Sequence, residues 1–208
     1  MKLILLIITS ILVAGCSVVG QSNVETAAYT LLKADDTQQI EVRNYESMVL
    51  VSTNVSGSSG SPFRKLFNYI SGENQGAVEI PMTAPVIMDD KNTANKGTKI
   101  SMTTPVFRNE MAGVSSMSFV MPNDFTLETT PKPTNPEVRV TELKDYKVAA
   151  IRFSGTLSDS NVAKHTKILA DWIAQQGYTA INDPVTAGYN APFTLPMMRR
   201  NEVFIEVR

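Results

Sequence analysis

Hydrophobic and polar positions change period several times along this chain, and each change marks an element. Residues 40–55 are rich in apolar and β-branched side chains, interrupted by Arg43, Asn44, Tyr45 and Glu46. That pattern predicts two short strands or one bent strand. A Gly/Ser loop follows at 56–61, and Pro62 stands where the first turn of a helix accepts proline. Phe63, Leu66, Phe67 and Ile70 recur at helical spacing with Gly72 as a stop, so a helix is predicted over 62–71. Further strands are predicted at 115–121, 138–140, 147–153 and 203–207, with an irregular Pro/Thr-rich stretch at 127–136. A turn at 155–160 offers Ser158 or Ser160 as an N-cap. Val162, Leu169, Trp172 and Ile173 then give a second helix an apolar face, which Gly177 ends. The order is strands, helix, strands, and then the same again. It predicts an α+β domain built from duplicated β-α-β-β units with pseudo-two-fold symmetry.

One phrase is repeated inside this pattern. Residues 80–86 read Ile-Pro-Met-Thr-Ala-Pro-Val and residues 100–106 read Ile-Ser-Met-Thr-Thr-Pro-Val. Met117, Ser118, Phe119, Val120, Met121 and Pro122 form a third, weaker echo. The phrase holds no nucleophile–base pair and no ligand cluster, so it reads as architecture. Ile80, Met82 and Ala84 alternate onto one face, as do Ile100, Met102 and Thr104. Proline donates no ladder hydrogen bond, which places Pro85 and Pro105 at bulges or edges. A hairpin bulged in both arms is predicted, with Met82 and Met102 filling core gaps.

The N-terminus reads as a secretory leader. Lys2 precedes an apolar run at 3–13, too short to span a bilayer, since a helix needs roughly 20 residues. The run closes on Leu12, Val13, Ala14, Gly15 and Cys16, which resembles a bacterial lipoprotein lipobox. The resemblance implies cleavage after residue 15, acylation of Cys16 and a lipid-anchored protein of the cell envelope. Ser17 after the cysteine implies the outer membrane, facing the periplasm. Residues 16–28 are then the lipidated N-terminus and a polar tether, and 29–208 the folded domain. Cys16 is the sole cysteine, so the mature domain has no disulfide and no thiol chemistry. Without its leader the chain carries 18 basic and 20 acidic residues, a net of −2. With no basic run, nothing in it points to nucleic acid.

A second stretch, residues 189–203, ends in Leu195, Pro196, Met197, Met198, Arg199, Arg200, Asn201, Glu202 and Val203. Together with the doubled phrase, it resembles the SOUL haem-binding protein family, from about Tyr29 to the C-terminus. The resemblance implies a distorted antiparallel β-barrel or sheet flanked by two helices, an organisation shared with effector-binding domains of the GyrI type. It also implies non-catalytic binding of haem or a related tetrapyrrole, for buffering or delivery, beside the first helix and the late loop before the last strand. The first helix offers Phe63, Phe67 and Ile70 with Arg64. The late loop offers Tyr189, Phe193, Leu195, Met197 and Met198, then Arg199 and Arg200. Flat apolar side chains suit a macrocycle, and guanidinium forks suit propionates. The alternative is a module that sequesters another amphipathic ligand, such as a lipid or drug.

No iron ligand is assigned. His165, the sole histidine, lies on the second helix among packing residues and reads as a half-buried, hydrogen-bonded packing residue. Met197 and Met198 are better placed for iron than Met82 and Met102. The acidic residues lie mostly in turns and pair with no histidine or cysteine at a recognisable spacing, so no enzyme is expected.

Overall fold

The long pairing of two bent strands organises the fold. A computed structural model describes residues 24–55, 60–89, 115–191 and 193–208. Its elements are β1 (Thr30–Asp35), β2 (Ile40–Asn54), α1 (Pro62–Ile70), β3 (Val86–Asp89), β4 (Ser116–Val120), β5 (Val138–Phe153), α2 (Asp159–Gln175), β6 (Val185–Gly188) and β7 (Asn201–Glu206). The strands run in the order β1-β2-β4-β3-β6-β7-β5, and β5 pairs back onto β2. Six antiparallel strands thus close a barrel, with β1 as an extra strand beside the start of β2. Exchanging β2, β3 and β4 for β5, β6 and β7 leaves the ring order unchanged. Closure pairs the strand edges that an open sheet would expose.

The 40–55 segment forms one strand, Ile40–Asn54, and the two pieces expected at 138–140 and 147–153 likewise form one, Val138–Phe153. β2 and β5 pair from Ile40↔Ile151 to Thr53↔Val138, and the ladder skips Glu46 and Asp145. At that gap both strands change the side they turn inward. Tyr45 and Met48 of β2 both face the barrel core, although strict alternation would oppose them. Tyr146 and Leu143 of β5 do the same, and Asp145 takes a positive φ of 49° to allow it. The polar break that suggested two strands is therefore a change of face within one.

The switch gives each helix a sheet face to cover. α1 lays Leu66, Tyr69 and Ile70 over Val49, Val51, Phe119, Met121 and Val138. α2 lays Leu169, Trp172 and Ile173 over Ile40, Val42, Ala149, Ile151, Val203 and Ile205. Both helices stop just before a glycine in the left-handed region, Gly72 at φ +108° and Gly177 at +76°. Ser158 occupies the N-cap of α2, but its side chain makes no capping bond.

The first copy of the repeated phrase departs from the expected strand. Ile80 tucks under α1, its N–H donating to the Ile70 carbonyl at 2.8 Å. Met82 is 37% exposed, so it is not core. Ala84 faces the barrel core and touches Thr26 through a single bridge, and only Val86 begins a ladder. Ile80, Met82 and Ala84 therefore share no face. Single hydrogen bonds to separate segments, including one from the Thr83 hydroxyl to the Val120 carbonyl, replace ladder pairing. The second copy, and with it the hairpin, lies outside the described residues, as do Cys16 and the leader.

Residues 24–28, read above as tether, are exposed except for Ala27, and hydrogen bonds hold them to the domain. Ala27 is buried in the barrel core, its N–H bonded to the Ala84 carbonyl, and Glu25 accepts from the Asn123 N–H.

Candidate functional site

The C-terminal strand alternates cleanly, and one of its inward positions is a carboxylate. Val203 and Ile205 face α2, while Phe204 faces the barrel core. Glu202 is fully buried, and a buried charge demands partners. Arg43, buried on β2, grips it with both terminal nitrogens at 2.6 and 3.0 Å. Arg200 donates from Nε and Nη2 at 3.0 and 2.6 Å, and the Tyr189 hydroxyl donates at 2.7 Å. Burial opposes the charge on Glu202, but Arg43, Arg200 and Tyr189 outweigh it and hold its carboxyl below the usual carboxylate range. Burial and the neighbouring carboxylate keep the Tyr189 hydroxyl protonated, well above its ordinary value. Arg43 also bonds Glu41 through Nε at 2.6 Å and lies over the Tyr29 ring, while Arg200 lies over the Tyr189 ring at 4.0 Å.

Above this cluster opens a cleft of about 630 Å³. Its cationic wall is Arg152, Arg199 and Arg200, and its apolar wall includes Phe153, Met197 and Met198. No carboxylate lines it among the described residues. The late loop is fixed at both ends. Tyr189 N–H bonds the Arg200 carbonyl at 3.2 Å, Asn190 Oδ1 accepts from Arg200 N–H at 2.6 Å, and Gly155 N–H reaches the Pro196 carbonyl at 2.8 Å. Arg199 Nε donates to the Thr194 carbonyl at 2.8 Å. Pro196–Met198 forms one turn of 3-10 helix, which leaves Met197 74% exposed; Phe193 is 67% exposed, and Leu195 and Met198 are exposed as well.

The first-helix candidates form a separate patch. Phe63 and Phe67 are exposed and lie nearly parallel, with centroids 6.2 Å apart. Phe63 rests its edge on Phe119 at 5.3 Å. Arg64 is exposed beside them, whereas Ile70 is buried in the packing under α1. Neither this cleft nor a second one, of about 1020 Å³ near Leu127, Pro133 and Arg139, is lined by a residue of α1. The link between patch and late loop runs through the sheet. Phe119 pairs with Val86, and Val86 pairs with Gly188. The seat of Phe63 is thus two strand spacings, about 10 Å, from the residue before Tyr189.

Sequence reasoning passed over Arg43, Arg152 and Glu202. The available signal was a charge at an inward position of a strand, legible for Glu202 between Val203 and Asn201 but not for Arg43 before the change of face was known. His165 behaves as expected, stacked on Phe153 at 4.1 Å with Nδ1 donating to the Asn161 carbonyl.

A family model described as "SOUL heme-binding protein" matches residues 24–206. The mouse protein named Heme-binding protein 2 is 26% identical over 172 residues, covering 79% of this chain and 76% of its own. Heme-binding protein 1 of Xenopus tropicalis is 22% identical over 169 residues, covering 79% and 81%. Among solved structures, the EcmrR C-terminal domain superposes with a TM-score of 0.53 at 13% identity, covering 82% of this chain and 97% of that one. A hydrolase from Listeria innocua gives 0.54 at 10%, covering 82% and 92%. At these identities the two structures establish a shared fold and nothing of function.

Proposed function

The chain belongs to the SOUL haem-binding protein family, and from that premise we propose that it binds haem or a related tetrapyrrole without chemically altering it. The observation that carries this reading is the short row Phe119–Val86–Gly188, which brings a flat aromatic patch within about two strand spacings of an arginine-lined loop. Phe63 and Phe67 offer a face for a macrocycle, and Arg64, Arg199 and Arg200 offer cations for its carboxylates. Haem would bring its own redox and ligand chemistry, while this chain supplies the surface, the charge and the exclusion of water. The non-catalytic reading is supported by Glu202, the most deeply buried carboxylate of the site, which two arginines and a tyrosine hold ionised and occupied.

The place of action in this proposal is the bacterial envelope, with Cys16 acylated and the domain facing the periplasm from the outer membrane. Buffering or delivery of the tetrapyrrole is the role that fits such a position. We also read the two halves, β2-α1-β3-β4 and β5-α2-β6-β7, as a duplicated unit with pseudo-two-fold symmetry. The matching ring order and the matching change of face in β2 and β5 support that reading.

Mass spectrometry of small molecules that co-purify from the native host tests the ligand class. A tetrapyrrole is the expected species. A lipid or another amphipath in its place would replace this reading with a sequestering role.

A further inference from the structure

β5 and β7 place Arg152 directly opposite Glu202. Opposed residues of an antiparallel pair share a face, so Arg152 continues the inward row of Val148 and Ala150 to the mouth of the barrel. This is the usual arrangement for a cross-strand ion pair, yet no such pair forms. Glu202 already accepts five hydrogen bonds, three on Oε1 and two on Oε2, from Arg43, Arg200 and Tyr189. A carboxylate has about four lone-pair sites, so Glu202 has no capacity left. Arg152 is exposed, and no ion pair or side-chain hydrogen bond holds it among the described residues. It is a surplus cation at the rim of a cleft that holds two more guanidinium groups and, among the described residues, no acid.

We propose that this cleft is a binding site for an amphipathic organic carboxylate, and that Arg152 is the residue that selects for the carboxylate. Arg200 is pinned by Glu202 and by the Tyr189 ring, and Arg199 spends Nε on the Thr194 carbonyl. Arg152 keeps its whole planar fork for a ligand, which suits bidentate capture. The apolar body of the acid meets Met197 and Met198, whose flexible thioethers adapt to irregular shapes. The inference deepens the tetrapyrrole reading, because propionates are one such carboxylate. It stands apart from that reading in that any apolar acid of suitable length meets the same residues.

Pyrenebutyrate anisotropy with the full-length protein tests it, with pyrenebutanol as the uncharged control. The acid binds and the alcohol binds at least about tenfold more weakly, the scale of one charge-assisted contact. Arg152→Gln weakens the acid by about tenfold and Arg152→Lys by less, while Lys144→Gln, an exposed cation on the same strand outside the cleft, leaves it unchanged. Equal binding of acid and alcohol, full affinity in Arg152→Gln, or no binding of the acid at micromolar concentrations overturns the proposal. A parallel haemin titration separates the two readings. Acid binding without haemin binding removes the tetrapyrrole and keeps the carboxylate site. Haemin binding by a protein that does not bind the acid, or that binds it equally well as Arg152→Gln, removes the carboxylate site and keeps the tetrapyrrole.

Discussion

Glu202 is the residue on which the barrel mouth depends. Its charge is tolerated only because Arg43, Arg200 and Tyr189 surround it, so removing it strands a buried guanidinium. Glu202→Leu is expected to lower stability at pH 7 by about 3–5 kcal/mol, measured by urea unfolding. Replacing Arg43, Glu202 and Arg200 together by Met, Leu and Met is expected to recover most of that loss, since apolar packing substitutes well for a buried ion cluster. The pH dependence has a definite sign. The folded carboxyl titrates below its unfolded value of about 4.3, so its contribution is complete above that value. It is lost as pH falls through the lower, folded value. Unfolding curves from pH 7 to pH 3 should show this acid loss, and Glu202→Gln should flatten it. Arg152 stands on the same strand pair with no side-chain partner among the described residues, so Arg152→Gln should change stability by no more than about 0.5 kcal/mol.

At the level of elements, α1 has two faces with separate duties. Leu66, with no exposed surface, anchors the helix on β2, β4 and β5. Leu66→Ala is expected to cost about 2–5 kcal/mol. Phe67 faces solvent, so Phe67→Ala should leave the unfolding midpoint nearly unchanged while weakening haemin binding. Thermal unfolding and a haemin titration on the same pair of variants separate the two faces. Both helices were legible in the sequence because their apolar spacing and stop glycines are local signals. β2 and β5 were not legible as single long strands, since the polar residues that seemed to break them are held by contacts distant in sequence. Arg43, for example, finds its partner at position 202. β1 and β6 were missed for a related reason. β1 places Leu31 and Leu32 next to each other at a register shift, both exposed, and β6 has four residues, two of them Ala and Gly. β1 shows no period of two, and β6 alternates over too few residues to be read as a strand. The first copy of the repeated phrase was misread because its apolar residues serve three settings: Ile80 the underside of α1, Met82 the solvent and Ala84 the barrel core.

At the scale of the whole molecule, the closed barrel is a rigid frame that presents an aromatic patch on one side and an arginine-lined mouth at the late loop. The proposed anchor would tether this frame to a membrane, and Cys16→Ser is expected to move the protein from the membrane fraction to the soluble fraction on cell fractionation. The central claim is that patch and loop together receive a tetrapyrrole. A haemin titration of the purified protein, followed by Soret absorbance and by Trp172 fluorescence, tests it most directly. The account predicts a saturable Soret change with quenching at micromolar haemin, at least about tenfold weaker when Phe63 and Phe67 are both alanine, as expected for losing two large apolar contacts. No Soret change and no quenching at micromolar haemin, or equal affinity in the double variant, would contradict it.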